Sequence, residues 1–399
     1  MASPILHIKD SYYFEVPKFL WRSNHESRED FPLFWRKLDP DYQLWEAEVV
    51  YGKLQKQDNQ IPAWPVLKSE YEHWKHADHH NTGKPFTEFV KSQAWWAEKK
   101  QDTSFEKGWE EIAKTPVNPQ EYKATWSPEK IAGYNRALDG KILVPQIFGG
   151  QLKNLYEKES GMAISKFMVI ELVVAILLVA VFSGWLAPKI ATGARPTGRL
   201  WNLLESILLF LRDQVARPAI GHGADKFVPL IWTIFLFVLG CNLFGMLPWA
   251  GAPTGAFAVT LSLALVTLLT GWLFGILKFG PSGAVFGQLV PHFDLPIYMA
   301  IVLVPMIYII EVAGTLIKHG VLGVRLLANM VAGHVVLLGI MGLAFSLEGA
   351  LSPSWKVTAA IAVICSTLFS CLELFVAFLQ AYIFAFLSAL FIGAATHKH

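Results

Sequence analysis

Between Leu295 and Phe345 the chain runs for 51 residues that are almost entirely apolar, and Arg325 stands inside that run. A helix needs roughly 20 apolar residues to cross a bilayer, so a run this long belongs in lipid rather than in the core of a water-soluble domain. A charged side chain at mid-bilayer costs about 2.5–3.5 kcal/mol even on lenient scales, and such residues face a cavity, a counter-charge or an ion path. The local string is Lys318-His-Gly-Val-Leu-Gly-Val-Arg325-Leu-Leu-Ala-Asn329-Met-Val-Ala-Gly-His334. Placement alone makes Arg325 a functional candidate.

The charges divide the chain in two. Residues 1–160 hold 22 of the 34 Lys and Arg and 24 of the 32 Asp and Glu, leaving only 12 and 8 for residues 161–399. With 53% hydrophobic residues overall, this predicts a polar extramembrane domain over 1–160 followed by a membrane domain over 161–399. A near-neutral balance without a clustered basic face gives no sign of nucleic-acid binding. Cys241, Cys365 and Cys371 all fall in apolar runs, so the polar part has no disulfide framework. The opening residues lack the basic and apolar regions of a secretory leader.

The first part contains nine tryptophans, enough to form a core, an interface or a membrane-surface belt. Its patterning predicts amphipathic helices around 41–57, 86–100 and 104–114, with proline breaks at 62–65 and 116–119. Apolar spans follow at about 167–186, 227–249 and 256–277, with an interfacial amphipathic helix at 199–217. The final runs, 295–345 and 354–395, are each either a hairpin or one long tilted helix. The fold class expected is therefore a mainly α, polytopic membrane protein. It has about five transmembrane helices, two of them long, behind a Trp-rich helical and irregular N-terminal domain. Basic residues crowd 187–226 and are absent from 248–255, which places 187–226 and the C-terminus inside and the N-terminal domain outside.

Positions seven apart nearly superimpose on a helix. Glu311, Lys318 and Arg325 thus share a face, with Asn329 close to it and His334 roughly opposite. In the last run Glu373 and Gln380 share a face by the same spacing. These groups can hold or pass protons beside one fixed cation. Asn329 or Gln380 taken alone is equally compatible with simple helix-to-helix hydrogen bonding. Lys318 and Glu311 are also compatible with snorkelling near the aqueous boundary. The glycines between 320 and 342 suit close helix packing.

The string Arg325-Leu-Leu-Ala-Asn329-Met-Val-Ala-Gly-His334 resembles the signature of subunit a of the rotary F-type ATP synthase. Lys226-Phe-Val-Pro, Asn242-Leu-Phe-Gly-Met-Leu-Pro248, Thr260-Leu-Ser-Leu-Ala-Leu and Leu379-Gln380-Ala-Tyr-Ile-Phe384 support it in the family's order and spacing. The resemblance covers residues 163–399 and carries nothing over to 1–160. It implies two long tilted helices clasping a ring of c subunits. It maps the family's essential arginine onto Arg325 and the asparagine after it onto Asn329. The proton-path pair maps onto His334 and Glu373, and the path glutamine onto Gln380. Some members carry the acid on the first helix and the histidine on the second, the reverse of the order here. Glu311, with Asp294 and His292 in the preceding loop, is assigned to the inner exit, and Lys318 lies along the same face.

The implied partners are the c-ring, the subunit b stator, other ATP synthase subunits and the lipid of a bacterial inner membrane. No cofactor, metal or nucleotide is expected, since no phosphate-binding G-x-x-x-x-G-K-[ST] loop occurs in the chain. Two rival interpretations remain open. A stand-alone channel or transporter accounts for the intramembrane charges but not for the ordered motifs, and no inverted repeat is apparent. A membrane-anchored enzyme would use His73, His76, His79 and His80 as a metal site. That stretch reads instead as solvated, since neither a cysteine nor an H-E-x-x-H arrangement accompanies it.

Overall fold

The computed structural model describes residues 9–396 apart from 59, 79–80, 82–83, 116, 189–191, 193–197, 222, 248–249, 287–296 and 346–352. The described residues divide into two compact units, one comprising 11–164 and the other running from 165 onward together with Lys9 and Asp10.

The 11–164 unit is built from short helices, each with one apolar stripe. These are α1 (Leu33–Lys37), α2 (Pro40–Gln57), α3 (Trp64–Ala77), α4 (Phe86–Ser92), α5 (Ala94–Lys99), α6 (Thr103–Lys114) and α7 (Pro128–Leu138). On α2 the buried residues Ala47, Val50 and Leu54 follow helical spacing, as do Phe105, Trp109 and Ile112 on α6. They meet Leu67 and Tyr71 of α3 and Phe86, Phe89 and Val90 of α4 in one core. Trp96 and Trp109 sit edge to face there with ring centroids 4.5 Å apart. A second cluster joins Phe31, Trp126 and Leu138. Most of the tryptophan wealth is therefore core, although Trp21 stays exposed.

The buried Asp39 carboxylate organises that second cluster. It accepts from Trp126 Nε1 at 2.9 Å and Tyr134 Oη at 3.0 Å, and pairs with Lys130 Nζ at 2.6 Å. A buried charge is tolerated only when hydrogen-bonded and paired in this way. Burial, reinforced by Asp39, pushes the Tyr134 phenol up to about 12. Two short antiparallel ribbons complete the unit: β1 (Tyr13–Glu15) with β2 (Lys141–Leu143), and β3 (Gln151–Leu152) with β4 (Lys158–Ser160).

Local details differ from the sequence expectations. The stretch 86–100 is two helices, because Gln93 is extended (φ −78°, ψ 141°). The proline at 65 opens α3 rather than breaking the chain, since the first helical turn has no internal partner for an N–H that proline lacks.

Among its described residues the other unit contains five helices long and apolar enough to cross a membrane. They begin with α8 (Lys166–Val179), which passes into a π-helical stretch over Ala180–Leu186. The amphipathic α9 (Arg199–Phe210) continues as Leu211–Ala216 and ends in Arg217–Ile220. Then come α10 (Val228–Gly245), α11 (Phe257–Phe286, kinked at Gly280 with φ 77°), α12 (Ile297–Phe345) and α13 (Pro353–Thr396). The two last runs are thus single helices of 49 and 44 residues, not hairpins. At 1.5 Å per residue each is roughly twice as long as a bilayer's hydrocarbon core is thick, which requires strong tilt. Helix α13 packs against α10, α11 and α12 around Val238, Leu322, Leu326, Phe384 and Ala385. The outward faces of α8, α11 and α12 expose leucine, isoleucine and valine, as lipid contact demands.

Candidate functional site

Helices α12 and α13 run antiparallel, and their facing polar residues meet in register. His334 Nδ1 lies 3.8 Å from Glu373 Oε1, with the two side chains only 17% and 10% exposed. Five residues earlier on α12, Asn329 Nδ2 donates to Gln380 Oε1 at 2.7 Å. The seven-residue spacing of Glu373 and Gln380 thus does put both on the face that meets α12. Gly333 makes the upper contact possible: a Cβ there would lie 2.8 Å from Glu373 Oε1. The glycine therefore admits the carboxylate, which goes beyond the packing role expected for it.

A small cavity of about 20 Å³ opens between these two pairs, lined by Asn242, Leu326, Asn329, Glu373, Ala377 and Gln380 among others. That volume suits a single water, which needs two to four polar partners. Three buried atoms that lack a hydrogen-bond partner among the described residues line it or lie beside it: Asn242 Oδ1, Glu373 Oε1 and Gln380 Nε2. Asn242 is held by its other end, Nδ2 donating to the Ala377 carbonyl at 3.2 Å. The arrangement can pass a proton along short hydrogen-bonded steps.

Arg325 lies one turn below Asn329 on α12, partly buried and flanked by the buried Leu322 and Leu326. It forms no hydrogen bond or ion pair with the described residues. Nine residues separate it from His334, about 13 Å of helix and half a turn of phase. Further along α12, Lys318 Nζ stands 3.8 Å from Glu311 Oε1, and both are well exposed, 58% and 45%. The structure therefore brings together His334 with Glu373, Asn329 with Gln380, and Lys318 with Glu311, and leaves Arg325 apart from all three. His292 and Asp294 lie outside the described residues, as do His79 and His80, while His73 and His76 sit on α3.

Three more polar groups of this unit were given no role from sequence, Asn242 having entered only as the first residue of a supporting motif. Asn242 joins α10 to the cavity. His319 is buried on α12, its Nδ1 2.9 Å from the Thr315 carbonyl and its ring 4.3 Å from that of Phe391. Glu171 enters α8 one turn past its start, with Oε1 buried and without a hydrogen-bond partner among the described residues. The rule that flags intramembrane charge applies to Glu171 as it does to Arg325.

The ATP synthase A chain family matches residues 168–393, which include every member of this constellation. The chain is 38% identical over 238 residues to ATP synthase subunit a 2 of Chlorobaculum tepidum, a match covering 59% of this chain and 63% of that protein. It is 37% identical over 258 residues to ATP synthase subunit a of Myxococcus xanthus, covering 63% and 80%. Against ATP synthase subunit a of Chloroherpeton thalassium it is 36% identical over 273 residues, covering 67% and 77%. The chain spans just under two thirds of the length of the Chlorobaculum tepidum protein. With its multi-pass helical membrane domain matched over more than half its length, the chain belongs to the ATP synthase A chain family.

Proposed function

We propose that this chain is the proton-translocating stator subunit of an F-type ATP synthase, forming two half-channels against a ring of c subunits. The observation that carries this is the isolated Arg325 on α12, with a paired acid and base about 13 Å to one side and a Glu–Lys pair to the other. Each ring subunit carries a carboxyl group that stays neutral in lipid, because burial disfavours its charged form. Opposite Arg325 the cation favours the ionised form, and the proton leaves to one half-channel. The charged site regains a proton from the other half-channel before re-entering lipid. Arginine suits this place because it stays protonated when desolvated, whereas a lysine is readily neutralised there. His334 and Glu373 relay protons on the outer side, Asn329 and Gln380 continue the polar path towards Arg325, and Glu311 with Lys318 borders the inner exit.

The chain itself makes no ATP in this scheme; it couples ion flow to rotation, at about 2.3 kcal/mol per charge per 100 mV. Its partners are the c-ring, the b stator and the remaining subunits of the complex, and its site is a bacterial inner membrane. The chain should co-purify with a c-ring, and vesicles bearing the complex should acidify on ATP addition. Recovery without a ring, from membranes that contain one, would sink the proposal.

The same scheme puts residues 1–160 outside and 187–226 inside. Protease added to sealed right-side-out vesicles should digest 1–160 and spare 187–226, and the opposite pattern would reverse the orientation. The close approach at Gly333 gives a further expectation. Gly333→Val should displace the Glu373 carboxylate and slow pumping by roughly tenfold with the ring still bound, since misplacement of about 1 Å carries penalties of that order or more. Unchanged pumping would detach Glu373's position from proton flow.

A further inference from the structure

The 11–164 unit exposes an apolar tip at the place where the chain goes on into the membrane. Ile147, Phe148 and Met162 are 76%, 67% and 62% exposed. Residues this apolar on a rigid tip indicate a partner surface rather than bulk water.

The tip is fixed by local geometry. Gln146 uses its side-chain amide as a surrogate strand: Nε2 donates to the Val144 carbonyl at 3.0 Å and to the Ile164 carbonyl at 3.0 Å. Its Oε1 accepts from the Ile164 backbone N–H at 2.8 Å. A backbone bridge joins Gly149 to Met162, with Gly149 at φ 70°. Gly150 lies so close to the Met162 carbonyl that a Cβ there would be 2.5 Å from its oxygen. The loop bearing Ile147 and Phe148 is therefore clamped to segment 162–164.

That segment leads without interruption into α8, whose first turn is capped by Ser165 Oγ accepting from the Met168 N–H at 3.4 Å. The span Lys166–Leu186 has 21 residues, and at 1.5 Å each it is about as long as the hydrocarbon core is thick, so Lys166 lies at the edge of that core. Four residues of chain reach at most about 14 Å, so Met162 can lie no farther than that from the edge of the hydrocarbon core. Ile147 and Phe148 lie on the loop that Gln146, Gly149 and Gly150 hold against that segment.

We infer that Ile147, Phe148 and Met162 form a lipid-facing anchor that inserts into the headgroup–acyl boundary and seats the 11–164 unit on the bilayer. Continuity with the membrane span, not apolarity alone, identifies lipid as the occupant. The anchor has the composition of an interfacial element, apolar side chains on a fixed scaffold.

The test uses the full chain in phosphatidylcholine–phosphatidylglycerol vesicles, with Cys241, Cys365 and Cys371 replaced by alanine. Phe148→Cys or Ile147→Cys is labelled with an environment-sensitive fluorophore, and Glu121→Cys, exposed in the same unit, is the control. Lipid carrying a nitroxide at headgroup depth should quench the 147 and 148 labels severalfold more than the 121 label. Iodide present on both sides should show the reverse order. Quenching by iodide as strong at 148 as at 121 would overturn the anchor. So would protection from both quenchers, which would mean that protein covers the tip.

Discussion

Arg325→Ala is expected to abolish ATP-driven proton pumping and proton-driven ATP synthesis while the complex still assembles. The physical case has two halves. On the functional side, a ring carboxylate that has lost its proton must be held away from lipid by a permanent counter-charge, and the one other Lys or Arg on α12 is Lys318. Lys318 lies about 10 Å away along the helix and is already paired with Glu311. On the structural side, Arg325 bonds to none of the described residues, so its removal leaves no buried partner orphaned among them. Leu322 and Leu326 hold the packing on either side. Arg325→Lys should fail too, since a desolvated ammonium can give up its proton. Inverted vesicles with a pH-sensitive dye provide the measurement, and ring co-purification reports assembly. Wild-type acidification by either variant would end the fixed-cation scheme.

Much of this architecture is visible in the sequence because lipid simplifies the problem. Where no water can satisfy the backbone, an apolar run has to be helical, so 167–186 corresponds to α8 with its π-helical continuation, and 256–277 to the main part of α11, to within a residue or two. The seven-residue spacing of Glu373 and Gln380 likewise specifies a shared face. What spacing cannot supply is the register between helices. That His334 meets Glu373, and Asn329 meets Gln380, depends on how α12 and α13 slide past each other, a choice made by packing at Leu322, Leu326 and Phe384. Asn242 is visible in sequence only as part of a motif, since its place at the cavity depends on α10 lying against α13 at Ala377.

The 11–164 unit was less legible, because in water many short elements compete and tertiary contacts decide among them. Helix α3 has only two fully buried positions, Leu67 and Tyr71, too few for a clear periodic signal. Gln93 interrupts 86–100 with no glycine or proline to announce it. The Asp39 cluster joins residues nearly a hundred positions apart, which no local pattern can reveal.

Glu373→Ala and His334→Ala should each slow pumping by about a hundredfold, the lower end for loss of a positioned proton carrier, and leave ring binding intact. Their 3.8 Å separation and low exposure make them one unit rather than two independent sites. Removing either leaves the other facing a gap, so most of the loss should already be present in each single variant. The double variant should then fall little below the worse single one, and a double-mutant cycle should show a coupling term well beyond the scatter seen for distant sites. The Asn329–Gln380 pair gives the contrast, being a direct hydrogen bond at 2.7 Å between neutral side chains. Neither amide exchanges protons readily, so Gln380→Leu should act by closing the polar path and should be partly rescued by Gln380→Glu. Strictly additive losses at His334 and Glu373 would assign the two residues to separate routes. Poor assembly of either single variant would make the pair a structural tie between α12 and α13 instead of a relay.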